Sequence, residues 1–349
     1  MDSRTARGPC RNDVPEVSYT RTSLAVLRVA IFGTPLLCLL APTRADEPAA
    51  SRQPVEAVRP VVSQSAPEAP KYLLQYKFRP GQDVYYRTVH TTRITTQKNE
   101  TSETTHNDSN ALKHFRVVSV DANGTAVLES YLDKVKMSYR FGDNPAILFD
   151  SESSSPTPRG FGEIQLSIGR PLSRTTVERN GKLKTIISLA EQREGAPKGA
   201  SDDRSRNFLF ELPSEPIAVG KEWLEKLTVK VQISKGLTNN VVLLRKFKLE
   251  SVENGQATIS VRSDLLTPTD DPHILAQLIQ RTPRGSFVFD IEQGLITQRT
   301  MTTNKTEVGV MGPNSAMRAL SELNEKLARG PVVAEKVSLN NSPKATATE

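Results

Sequence analysis

Four histidines, two cysteines, one tryptophan and a scatter of carboxylates are the residues of this chain with chemical reach. His90, His106, His114 and His273 form neither HExxH nor HxH nor any other short metal-ligand spacing. His90 and His114 fall in strand-like runs, and an antiparallel pairing would allow them to be neighbours. Ordinary half-buried or solvated histidines are the plainer reading. Gly160-Phe-Gly162 lacks the third glycine and the strand–turn–helix setting of a nucleotide loop, and no GxSxG elbow occurs. Asp264, Asp270, Asp271 and Asp290 do not match a calcium-loop spacing, and Asp270-Asp271 suit loop and cap roles. Trp223, the sole tryptophan, reads first as a core anchor at a strand start and second as a residue that stacks on a sugar or lines an apolar pocket. No catalytic, cofactor-binding or metal residue is therefore assigned, and no cofactor is expected.

Cys10 and Cys38 both precede the expected cleavage point, so the mature chain would carry neither disulfide nor thiolate. Val29–Ala41 is a largely apolar run of thirteen residues, short for a membrane span and suited to a signal peptide. Arg21 and Arg28 flank it, and Thr43-Arg44-Ala45 places small residues before Asp46, so cleavage is expected after Ala45. The chain is accordingly expected to be exported, to the periplasm, cell surface or medium of a bacterium, with no stable transmembrane span after cleavage. Of the net charge of +7, six arginines against three carboxylates in residues 1–45 account for +3. The remainder is weak and dispersed, which excludes nucleic acid as an expected partner.

The elements that follow are mainly β. Residues 46–70 form a Pro/Ala/Ser-rich leader, expected to be disordered. Leu74, Tyr76 and Phe78 alternate, Pro80-Gly81 marks a turn, and Val84–Thr96 reads as a long strand. Phe115–Ser130 is a hairpin around Asp-Ala-Asn-Gly124, and Glu178-Arg-Asn-Gly181 is a second turn. Phe247–Arg262 repeats the scheme of 115–130 at an offset of 132 residues. Gly81…Tyr85 is echoed by Gly220…Trp223, and Thr176–Leu183 by Val288–Leu295, in the same order. This pattern predicts two related antiparallel β halves, 71–190 and 211–330, joined by a connection over 191–210. Asp271-Pro272 predicts the start of a short helix. Met317, Leu320, Leu323 and Leu327 predict an amphipathic helix over 316–329, capped by Ser315, stopped by Gly330-Pro331 and packed on the sheet. Residues 331–349 form a tail, expected to be disordered.

The Pro-Gly turn before an aromatic strand, Leu212-Pro213…Pro216…Val219-Gly220…Trp223 and the late Phe287-Val-Phe-Asp…Gly-Leu together resemble secreted planctomycete-type proteins of an uncharacterised domain-of-unknown-function family (DUF6263-like). The resemblance covers roughly residues 72–305 and implies a β fold without implying catalytic residues or a substrate. The expectation is a non-catalytic envelope protein that binds a ligand, such as an apolar small molecule, or an envelope protein through a β scaffold. A structural or assembly role is the alternative, and a secreted hydrolase the third.

Overall fold

The computed structural model describes residues 69–189, 209–234 and 237–330, all within one compact unit, Gln64–Glu349. The expected signal peptide, most of the expected leader, nearly all of the 191–210 connection and the tail over 331–349 lie outside the described residues. The chain runs β1 (Lys71–Tyr72), β2 (Asp83–Lys98), β3 (Thr101–Val120), β4 (Ala126–Phe141), β5 (Ile147–Asp150), α1 (Gly162–Ser167), β6 (Pro171–Val177) and β7 (Leu183–Ser188). It continues with β8 (Ile217–Ala218), β9 (Glu222–Ser234), β10 (Leu237–Glu253), β11 (Gln256–Leu265), α2 (Pro272–Leu278), β12 (Arg284–Asp290), β13 (Leu295–Val308) and β14 (Ser315–Ala328). The fold is mainly antiparallel β, as the alternation in the sequence predicts.

One sheet has the order β7-β6-β4-β3-β2-β14-β13-β12-β11-β10-β9, with β5 paired to β4, while β1 and β8 pair separately. Each half is a meander, and β14 joins them by pairing with β2 from Ser315↔Lys98 to Ala328↔Tyr85. The two halves repeat the same backbone plan. A bulge lies between Val117 and Ser119 in β3, and another between Leu249 and Ser251 in β10, at the offset of 132 seen in the sequence. Gly81 donates its N–H to the Val117 carbonyl and Val117 returns a bond to Gln82; Gly220, Leu249 and Lys221 do the same. Both glycines hold positive φ, which a residue without Cβ adopts freely. Val84 lies opposite Phe115 and Trp223 opposite Phe247. Trp223 therefore corresponds to Val84, one residue away from the Tyr85 match that the sequence suggests.

Side chains alternate across a strand, so one face of the sheet collects the apolar residues. Near the turns at one end, Phe115, Phe247, Phe287 and Phe289 are fully buried on that face with Leu128, Leu249 and Ile259. Leu74, Tyr76, Phe78, Phe210 and Leu212, from the segments around β1 and before β8, complete this one cluster. Burying each large side chain contributes about 1.5–3 kcal/mol. Two connections cover further parts of the same face. Phe149 of β5 and Phe161 pack on Val135 in the first half, and Ile274 and Leu278 of α2 pack on Leu227, Val229 and Leu243 in the second. The Asp271 carboxylate accepts from the His273 N–H at the start of α2, as the Asp-Pro signal predicts.

The expected C-terminal helix over 316–329 is overturned: Ser315–Ala328 is strand β14. Its leucines fit a helical stripe, but Ala319, Ser321, Leu323, Glu325 and Leu327 also alternate. Pairing with β13 on one side and β2 on the other satisfies both edges of its backbone, and this tertiary context overrides local propensity. Arg318 and Glu322, or Glu322 and Lys326, now lie about 13 Å apart along an extended chain and lose the contact a helix would give. Ser315, expected as a cap, accepts from the Met311 N–H and donates to the Gly312 carbonyl.

Candidate functional site

Above the apolar end, the core face carries a layer of buried charge. Arg299 of β13 and Glu325 of β14 are direct partners and form an ion pair of 2.6 Å. Lys113 of β3 adds a second cation at 2.8 Å, and the Thr88 hydroxyl donates to the same carboxylate. Burial pushes the Glu325 pKa up, but Arg299, Lys113 and Thr88 outweigh it and hold the carboxyl at about 2. A second pair, Glu225–Arg245, sits on β9 and β10 at 3.3 Å. Here burial outweighs the single arginine, and the Glu225 pKa is raised. Both guanidiniums lie 5.4 Å from the Phe210 ring centroid, so one aromatic residue ties the two pairs together.

Further along the same face, His90 Nε2 is 2.8 Å from Ser321 Oγ and 3.2 Å from Thr92 Oγ1. Burial, then Lys113, lowers the His90 pKa, which favours the neutral ring. The spacing suits a base and a hydroxyl nucleophile. Among the described residues no carboxylate bonds the ring to orient it, and all three side chains project from regular strand without the oxyanion donors that acyl transfer needs. Beyond Thr92 the row runs through Asn107 and Tyr139 to Ile147. Asn107 Oδ1 is buried and lacks a hydrogen-bond partner. Tyr139, Phe141 and Ile147 are 36%, 41% and 43% exposed and share this face, forming an apolar rim.

His114 does not join His90. It lies opposite Tyr85 on the other face, stacked on Tyr131 at 4.5 Å and tilted against Tyr85 at 4.9 Å. Asp133 binds its Nδ1 at 2.8 Å. Beside it runs a ladder of alternating charge, Asp83–Arg116 and Glu129–Arg174, directly opposite one another across β2, β3, β4 and β6. His106 sits between Arg93 and Arg140, and His273 begins α2. Asp264 pairs with Arg262. Asp290 accepts from Gln256 and Gln293 in a turn.

Trp223 stacks on Phe247 at 5.2 Å and donates its Nε1–H to the Glu211 carbonyl, which makes it the core anchor of β9. It also lines a surface hollow of about 370 Å³ with Pro213, Pro216, Leu224 and Glu211. Burial raises the Glu211 pKa. This hollow is built by the Leu212–Trp223 segment that carries the sequence resemblance. The Arg–Glu pairs and the rim had no counterpart among the candidates from sequence. Their members are far apart in the chain and look individually like solvated charges or strand residues.

No family model matches this chain, and no curated protein matches it. A solved structure of lipid–protein interactions in lipovitellin is similar at 14% identity and a TM-score of 0.39, over 76% of this chain and 27% of that one. The chain thus spans about a quarter of the lipovitellin chain's length. DynF from the dynemicin biosynthesis pathway of Micromonospora chersina is similar at 8% identity and a TM-score of 0.18, over 77% of this chain and 92% of that one. At these scores neither resemblance assigns a function. No helix among the described residues is long and apolar enough to cross a membrane.

Proposed function

We propose that this chain is an exported, non-catalytic binding protein whose β scaffold holds an apolar small molecule at the rim of its core face. The observation that carries this reading is the exposed group Tyr139, Phe141 and Ile147, which share one face of the sheet with its apolar core. Beside it, the unpartnered Asn107 Oδ1 supplies one acceptor that would orient a ligand carrying a hydroxyl or amide. A non-catalytic role is supported by the mutual engagement of the buried ionisable groups, Glu325 with Arg299 and Glu225 with Arg245. Export rests on the sequence pattern of residues 24–45.

Native mass spectrometry of the mature chain purified gently from its own host tests the reading. The expected result is a reproducible small-molecule adduct that is lost when Tyr139→Ser and Phe141→Ser are combined. An unadducted chain, or an adduct that survives in the double variant, would overturn it.

A further inference from the structure

Strands β2 and β9 hold equivalent places in the two halves, yet their free edges are treated differently. The edge of β2 that faces away from β3 is filled by β14. The edge of β9 that faces away from β10 is an end of the sheet. Because successive residues of a strand turn their backbone groups to opposite sides, the bonds at Gln232 reveal which residues face that edge. The Gln232 N–H donates to Gln277 Oε1, and its carbonyl accepts from Gln277 Nε2. The Lys230 carbonyl accepts from Arg281 Nη1. Gln277 of α2 and the nearby Arg281 thus give the far part of the edge the bonds that a neighbouring strand would give, a common way to protect an edge.

The protection does not extend to Leu224 and Lys226, whose backbone groups share the parity of Lys230 and Gln232. Among the described residues no strand or side chain bonds their N–H or C=O at this edge. Leu224 is 58% exposed and borders the hollow beside Trp223. We infer that the open edge of β9 at Leu224–Lys226 accepts an extended peptide segment of a partner protein, added antiparallel as β14 is added to β2.

The side chains on the core face define what that segment must carry. Trp223, Glu225 and Leu227 face the incoming strand there in turn. Glu325, in the other ion pair, has two cations, whereas Glu225 has Arg245. A lysine or arginine opposite Glu225 supplies the second cation, and apolar residues on either side meet Trp223 and Leu227. The recognised pattern is apolar-x-basic-x-apolar, and backbone ladder bonds supply affinity irrespective of the intervening residues.

The full mature chain is titrated with the synthetic peptide Thr-Leu-Thr-Lys-Thr-Leu-Thr while the emission of Trp223, the sole tryptophan, is followed. A saturable shift is expected, with slowed amide exchange at Leu224 and Lys226. Lys226→Pro removes an edge N–H outside the existing ladder, a position where a strand tolerates proline. It is expected to weaken binding at least about tenfold while circular dichroism and thermal unfolding stay unchanged. Independently of any variant, replacing the peptide's lysine by glutamate is expected to weaken binding to the wild-type chain. No saturable shift, or equal binding by Lys226→Pro at an intact fold, would overturn the inference. So would a native dimer that Lys226→Pro converts to monomer, which would give the edge to a second copy of this chain.

Discussion

Glu325 is held ionised by three neighbours, and its removal takes a carboxylate away from two cations, Arg299 and Lys113. Replacing it by glutamine is expected to cost about 3–5 kcal/mol in urea unfolding, because the buried ion pair with Arg299 and the bond to Lys113 are broken from one side. The pH dependence has a definite sign. The folded pKa of about 2 lies below the ordinary carboxylate value. The carboxylate therefore contributes stability above pH of about 4.5, and that contribution disappears as pH falls toward about 2. It amounts to about 3 kcal/mol, and Glu325→Gln is expected to flatten the unfolding free energy across that window. Glu225 works in the opposite sense: its raised pKa makes its contribution decline as pH rises through the folded value. Neither role was legible in the sequence, since Glu325 stands in a run that reads as the polar face of a helix. Trp223 was more legible, as a lone tryptophan at a strand start is most often an anchor.

The turns are as specific as the strands. Gly294 holds φ of +67°, and a Cβ there would lie 2.5 Å from the Lys77 backbone nitrogen. The Lys77 N–H donates to the Gly294 carbonyl, so this turn is clamped beneath the segment leading into β2. Gly294→Ala is expected to destabilise the protein by more than about 1 kcal/mol in denaturant unfolding. Gly255→Ala, at a positive φ but in open space, is expected to cost only the conformational strain. These turns were foreseen because glycine follows a polar pair between alternating runs. The close approach over Gly294 was not, because Lys77 comes from the other half of the chain. Strand β14 shows the reverse failure: a leucine spacing with a sound local meaning gave way to hydrogen bonds on both edges.

Across the whole molecule, the two meanders interlock at three places. β1 pairs with β8, β14 pairs with β2, and one apolar cluster draws side chains from both halves. Neither half closes its own core, so unfolding of the described body is expected to be one cooperative transition by circular dichroism and fluorescence. A fragment of residues 71–190 is expected to remain unfolded by the same probes, having lost β14 from the edge of β2 and Phe247, Phe287 and Phe289 from the core. A folded fragment would mean that the halves are independent domains.

The β class, the recurring hairpins, the equivalence of Phe115 and Phe247 and the start of α2 can all be read from the order of residues alone. Those features are encoded within short windows, in alternation, turn residues and caps. That Ser315–Ala328 is a strand, that Glu325 meets Lys113 and Arg299, and that Tyr139, Phe141 and Ile147 form an exposed rim on the core face emerges with the folded chain. Each of these depends on which distant strand lies alongside, and pairing between remote segments is set by the packing of the complete sheet.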